Sequence, residues 1–416
     1  GGRPHGRGRR VSGRGRHAAR GAADAPAAGA GLGDLELPVM LLHDDAIEHN
    51  VRTMADWVRA AGVQLAPHAK THMSRDLVRR QTDAGAWGFT AATPAQVRTL
   101  ASWGVGRVLH ANVLVDPASI AWVAEHLLAA DSATEYLCYV DSEAGLDLLL
   151  RELAPHRPDR PLPLLLELGF AGGRTGMRDD VAALALARRV AASEHVRLAG
   201  VAAFEGLMPV GDDPAAPPGA AELLERVRGF VTALTDQGLV AGVPVVTAGG
   251  SSYFDLVVRE LGPAMWDVPV TTVLRSGCYI THDHGVYRRT SPLGADRGNA
   301  ALRPAFELRA SVLSVPEDGR VLVGFGRREA PTDDRLPVVL GAVPAPDGAH
   351  DLDVTGWEVT GVNDHHAFLR VPSGVAPAPG TVLRFGISHP CGAFDRWRHI
   401  PLVEDDVVVG EITPRL

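Results

Sequence analysis

From residue 39 onward, short apolar runs alternate with stretches whose apolar residues recur at helical spacing. Val39–His43 reads as a lead-in strand, and residues 46–61 read as an amphipathic helix. Further candidate strands end at Lys70, Thr93, Asn112, Asp141, Gly169, Glu205, Gly249 and Gly277, with apolar cores such as RVLHAN, EYLCYVD, PLLLELG and VPVVTAG. Amphipathic stretches at 95–103, 119–130 and 220–237 lie between them. This alternation predicts βα units around a parallel sheet. Eight such repeats between residues 34 and 277 predict a (β/α)8 TIM barrel, with an open doubly wound sheet as the rival, since periodicity carries no sign of closure.

Beyond about residue 300 the period changes to two. FELRASVLSV, RVLVGFG, DVTGWEVTGV, HAFLRVP, TVLRFGI and DDVVVGEI are short alternating runs bounded by Gly and Pro turns. They predict a C-terminal all-β domain over residues 278–416, which the strand at 38–44 is expected to join. Residues 1–33 carry neither pattern. GGRPHGRGRRVSGRGRHAARG has almost nothing apolar, reads as a disordered tail, and lacks the apolar stretch of a secretory signal.

Composition narrows the function classes. No run of 18 apolar residues exists, so no membrane helix is expected. The net charge of -8 argues against nucleic acid as a partner. Three cysteines, Cys138, Cys278 and Cys391, make no disulfide framework in a chain of 416 residues and suit a cytoplasmic setting. The 41 Lys plus Arg residues include one lysine, Lys70. Arginine replaces lysine on a surface, but guanidinium cannot form an imine or act as a base. Lys70 stands at the end of the first predicted barrel strand, and barrels place their chemistry at such ends; chance alone would put it there roughly once in twenty. A Schiff-base lysine is the reading that uses this position.

The ends of the seventh and eighth strands, where barrels commonly hold phosphate, read TAGGSS and RSGCY. Glycines there let backbone N–H groups approach phosphate oxygens, and Ser251 and Tyr279 are candidate hydroxyl donors. Arg174, in GGRTG behind the fifth strand, is a candidate for neutralising a cofactor oxygen; the competing reading is a solvated loop arginine. Glu205 is a candidate buried acceptor or a helix cap. In SHPCGAFDRW, His389 and Cys391 are two residues apart, so an extended backbone would point both at one ion, and imidazole plus thiolate favours zinc. Two ligands leave the remaining positions to water or substrate. The histidines of NDHHAF and THDHGVY are candidates for lining the same pocket.

PHAKTH, RTG, AFEG, AGGSS, SGCY and HPCGAFDRW occur in that order, and this set resembles the D-serine dehydratase, D-threonine aldolase and amino-acid deaminase family over about residues 36–412. The resemblance implies an alanine-racemase-like fold, a pyridoxal-phosphate (PLP) barrel with a β-domain, and a homodimer. It assigns Lys70 to the PLP linkage, and His68, Arg174, Gly249, Gly250, Ser251, Gly277 and Tyr279 to cofactor binding. His389 and Cys391 become the zinc pair. Three positions depart: Phe204 stands where relatives often have tyrosine, Ala66 where many have arginine, and His365 where many have Gln or Glu. The aldolase branch typically has aspartate at the position of Cys391, so cysteine points toward a dehydratase that converts D-serine, or another β-hydroxy-D-amino acid, to a keto acid and ammonia. The rivals are a retro-aldol lyase with the same lysine and metal, and a catalytically silent PLP-binding protein.

Overall fold

The computed structural model describes residues 28–208, 217–343 and 352–415. β1 (Val39–His43) leads into α1 (Asp44–Ala60). Eight strands follow: β2 (Gln64–Leu65), β3 (Phe89–Ala91), β4 (Arg107–Val113), β5 (Glu135–Val140), β6 (Leu162–Glu167), β7 (Val196–Ala202), β8 (Val245–Ala248) and β9 (Thr271–Leu274). The helices behind β2 to β8 are α2 (Arg75–Asp83), α3 (Pro94–Ser102), α4 (Pro117–His126), α5 (Glu143–Leu153), α6 (Asp180–Ala191), α7 (Ala220–Asp236) and α8 (Phe254–Leu261).

The eight strands pair in parallel in the order β2-β9-β8-β7-β6-β5-β4-β3. The ring closes between its ends: Trp87 N–H donates to Leu65 O at 2.8 Å, Thr90 N–H donates to Pro67 O at 2.9 Å, and His68 bridges Thr90. The result is a closed parallel barrel rather than an open sheet; the alternation predicts the βα units, and these contacts supply the closure that periodicity does not show. Every residue of β6 is buried, as expected for a strand covered on both faces. Leu109, Leu137, Leu165 and Ala199 fill the interior, with Tyr139 and Ala202 toward the C-terminal ends. Outside, α1 buries Ile47, Val51, Met54 and Val58, one helical stripe worth about 2 kcal/mol per side chain.

The loops leaving β3 to β6 are held by helix caps. Thr93, Asp116, Ser142 and Asp179 accept from the N–H groups of Gln96, Ser119, Gly145 and Ala182, each worth about 1 kcal/mol. These caps sit on the mouth of the barrel and fix its rim.

A helical connection containing α9 (Val286–Thr290) precedes the C-terminal strands, β10 (Phe306–Glu317), β11 (Arg320–Val323), β12 (Val338–Ala342), β13 (Glu358–Val362), β14 (Ala367–Arg370), β15 (Val382–Gly386), β16 (Ile400–Glu404) and β17 (Val407–Ile412), with α10 (Cys391–Phe394) between β15 and β16. β1 lies between β10, antiparallel, and β16, parallel. The lead-in strand is therefore part of the C-terminal sheet.

Residues 28–33, assigned to the tail by composition, run beside β17: Gly29 N–H donates to Val408 O at 2.8 Å, and Leu32 packs with Val39, Leu41, Val403 and Val408. The rest of that tail assignment, residues 1–27, lies outside the described residues. β12 and β16 were not anticipated. Among the described residues no helix is long and apolar enough to cross a membrane.

Candidate active site

The strand leading to Lys70 is pinned on both sides. Ala66 N–H donates to Leu274 O of β9 at 2.9 Å, and Pro67 O accepts from Thr90 in β3. The strand stops at Leu65, and a single 3-10 turn, Ala69–Thr71, carries Lys70 to the mouth, where its side chain is exposed. The turn is anchored from behind. Ser74 N–H donates to His72 Nδ1 at 3.0 Å, so the ring proton sits on Nε2 and meets Gln81 Oε1 at 3.2 Å. Gln81 Nε2 then donates to the Tyr279 hydroxyl at 2.9 Å.

Lys70 faces a cavity of about 240 Å³ that also takes in His68, Arg174, Gly249, Gly250, Ser251, Gly277, His389 and Cys391. All the expected site residues meet there except Tyr279, which is buried behind the wall. Its phenol accepts from Gln81 and does not line the cavity. Ser251 does belong: its Oγ accepts from the N–H groups of Gly277, at 3.3 Å, and Cys278, at 3.0 Å, and so ties the two glycine loops together. Gly249 has φ +85°, a left-handed conformation that favours glycine, and donates its N–H to Glu205 Oε2 at 3.1 Å. A Cβ on Gly277 would lie 2.6 Å from His68 O, so only glycine permits this approach. The first turn of α8, just behind the cup, carries no side-chain cap.

Four buried polar atoms around this space lack a protein partner: His68 Nδ1, Tyr139 Oη, Glu167 Oε2 and Glu205 Oε1. Such atoms are costly when left dry, and a polar ligand at the cavity would satisfy them. Burial shifts them all toward neutrality. It pushes His68 well below its ordinary value, helped by the positive Lys70 and Arg275. It raises Glu167 and Glu205, and moves Tyr139 up to about 12. Unpartnered polar atoms, a glycine cup and an open helix N-terminus together fit a phosphorylated, ring-shaped cofactor such as PLP.

Arg174 lines the rim of the cavity and is exposed there, with its guanidinium 5.0 Å from the Phe204 ring centroid. The buried arginine is Arg275, which donates to Thr247 Oγ1 at 2.6 Å and Ala203 O at 2.7 Å. Glu205 is buried and accepts from the cup, so it is an acceptor and no helix cap.

The His389–Cys391 pair is not extended. His389 has φ +63°, and Cys391 opens α10. Asp283 imposes this bend: its carboxylate accepts from His389 N–H at 2.8 Å and from the N–H groups of Gly285 and Tyr287. His389 Nδ1 is hydrogen-bonded to Asp333. Burial disfavours the charged ring, but Asp333 and nearby negative groups outweigh it and hold His389 above its ordinary pKa.

Cys391 Sγ lies 3.5 Å from Cys278 Sγ, and Thr71 Oγ1 is within 3.7 Å of Cys391 and 3.6 Å of Cys278. A hydrogen bond from the Cys391 thiol favours the thiolate on Cys278 and lowers its pKa, and the same contact pushes Cys391 up. Among the described residues no three His, Cys, Asp or Glu side chains converge as a closed metal site requires. Imidazole and sulfur facing one cavity fit instead an ion that keeps open positions.

The histidines of the two histidine-rich stretches do not line the cavity. His365 bonds Glu329 at 2.7 Å, and His282 and His284 are buried beside α9, which contributes Tyr287 instead. Cys278, Tyr287, Asp283, Asp333, Tyr139, Glu167 and Arg275 were missed as site residues. Cys278 and Arg275 sit inside RSGCY, and Asp283 and Tyr287 inside THDHGVY, stretches singled out for other residues.

A family model described as "Alanine racemase, N-terminal domain" matches residues 42–262, and one described as "Putative serine dehydratase domain" matches residues 305–403. D-threonine aldolase from Arthrobacter sp is 26% identical over 392 residues, 92% of this chain and 94% of that protein. D-threo-3-hydroxyaspartate dehydratase from Delftia sp. strain HT23 is 25% identical over 343 residues, 77% of this chain and 86% of that protein. The crystal structure of D-threonine aldolase from Filomicrobium marinum superposes with a TM-score of 0.76 at 26% identity, covering 94% of this chain and 98% of that one.

Proposed function

This chain belongs to the family of the alanine racemase N-terminal domain, and from that premise we propose a PLP-dependent lyase that eliminates the hydroxyl of a β-hydroxy-D-amino acid, D-serine or a close analogue, giving a 2-keto acid and ammonia. One observation carries the reading: Lys70, the glycine cup and the His389–Cys391 pair face each other across one cavity of about 240 Å³. The resemblance to aldolases and dehydratases of D-configured β-hydroxy amino acids supports the substrate class.

Lys70 is the covalent anchor for the cofactor. Gly249, Gly250, Ser251 and Gly277 would hold its phosphate, and His68 and Arg174 line the same cavity. When bound, PLP would supply an electron sink at the substrate Cα. The Lys70 Nζ is the base that takes the Cα proton, from a position the Pro67 and His72 contacts fix. His389 and Cys391 present their donors to the hydroxyl side of the substrate, and zinc held there supplies Lewis acidity to a poor leaving group. Asp333 and Asp283 fix the orientation of His389. A reducing compartment and a homodimer complete the proposal.

A second reading is retro-aldol cleavage, favoured by the aldolase relative matching 92% of this chain against 77% for the dehydratase. Incubation with D-serine, D-threonine, D-threo-3-hydroxyaspartate and their L-enantiomers, before and after chelation, separates the two. Keto acid plus ammonia from D-substrates supports elimination, and glycine plus aldehyde replaces it with the aldolase. No product from any substrate, with PLP covalently held, overturns both in favour of a silent binding protein. Unchanged elimination after verified metal removal takes zinc out of the mechanism.

A further inference from the structure

We propose that Cys278 and Cys391 are a peroxide-sensitive pair that closes into a reversible disulfide and shuts the site. The two sulfurs are 3.5 Å apart with Thr71 Oγ1 against both. A disulfide is about 2.03 Å long, so they must approach by about 1.5 Å. Both line the cavity, and Cys391 is partly exposed, so a small oxidant in the cavity meets them. The third thiol, Cys138, is fully buried in β5, and burial pushes its pKa up to about 12. It holds its proton and stays out of the chemistry. The reactive sulfur is therefore confined to one pair.

The step balances with a peroxide as oxidant. One thiol attacks the O–O bond, becomes a sulfenic acid and releases water. The other thiol displaces the sulfenic oxygen as a second water, forming the S–S bond. Two protons and two electrons leave the cysteines, and a dithiol reductant returns them. The bridge has two consequences. It removes the Cys391 sulfur from the metal pair. It also staples the connection behind β9 to α10, across 113 residues of chain, and so raises thermal stability while turnover is lost. The pairing is a property of the two sulfurs and holds whichever substrate the site takes.

The test uses the full-length purified chain, stripped of metal by a chelator and treated with dilute hydrogen peroxide. Expected are loss of two of the three thiols, an intact mass lower by about 2 Da, a non-reduced peptide joining Cys278 to Cys391, a higher melting temperature, and full reversal by dithiothreitol. In a C278S variant the same dose should drive Cys391 to a sulfinic acid, about 32 Da heavier, with no rise in melting temperature. Three free thiols after treatment, a bridge between two chains, or sulfinic acid on Cys391 of the unmutated chain while Cys278 still reacts with iodoacetamide would each overturn the proposal. The peptide map of the unmutated chain decides even where C278S does not fold.

Discussion

The side-chain amide of Gln81 donates to the Tyr279 hydroxyl at 2.9 Å, on a phenol that does not line the cavity. Through His72 the same amide reaches the turn that carries Lys70. Tyr279→Phe should therefore leave PLP affinity within about twofold and cost about 1 kcal/mol of stability. Gln81→Ala, which strands His72 and Tyr279 together, should cost about 2 kcal/mol. Fluorescence titration with PLP and urea unfolding measure both. A tenfold loss of affinity in Tyr279→Phe would return the phenol to the cofactor.

Lys70→Arg keeps the charge and removes the amine. After incubation with PLP and borohydride, the unmutated protein should gain one covalent phosphopyridoxyl group by mass and the variant none, with turnover reduced at least roughly 10³-fold. Covalent labelling of the variant would assign the linkage elsewhere.

His72 and His110 are buried and neutral, and burial pulls both down to about 4. The unfolded chain takes up protons near pH 6.5, the folded one only near 4. The unfolded state thus binds more protons within that window. Their contribution is complete above pH 6.5 and declines as pH falls toward 4, by about 3 kcal/mol for each ring. Urea midpoints at intervals from pH 7.5 to 4.5 should fall accordingly, and His72→Gln should flatten the slope. A midpoint independent of pH in that range would refute the assignment.

Glu307 is buried beneath Arg384, Arg309 and His43. Burial opposes its charge, but hydrogen bonds from these three outweigh burial and hold its carboxyl well below the usual range. The stabilisation is present above the ordinary glutamate value and lost as pH falls below it toward the folded one. Glu307→Gln should cost about 3 kcal/mol at pH 7.5 and about 1.4 kcal/mol less at pH 3.5, about one pH unit below the ordinary glutamate value. Melting temperatures of both proteins at the two pH values test this, and an equal gap at both would contradict it.

Much of this molecule was legible because burial writes directly into apolar patterns. The fully buried β6 and the amphipathic α1 stand out in that way. Lys70 was legible for a different reason: guanidinium cannot replace an imine-forming amine, so a lone lysine in an arginine-rich chain draws attention. What stayed hidden depends on side-chain direction. Nothing in SGCY tells whether the tyrosine faces the cup or the helix behind it. The His-x-Cys spacing assumed an extended backbone, which Asp283 bends from more than 100 residues away. β16 escaped because Pro401 interrupts its pattern, yet it pairs through Leu402 and Val403 with β1.

The place of β1 also bears on how the protein is made. Its neighbours β10 and β16 lie at Phe306–Glu317 and Ile400–Glu404, so they leave the ribosome long after β1 itself. Until then the nascent chain carries an apolar strand, Val39 to Leu42, with both edges open. A fragment ending at residue 277 would keep that liability permanently, and we expect it to aggregate where the intact polypeptide folds.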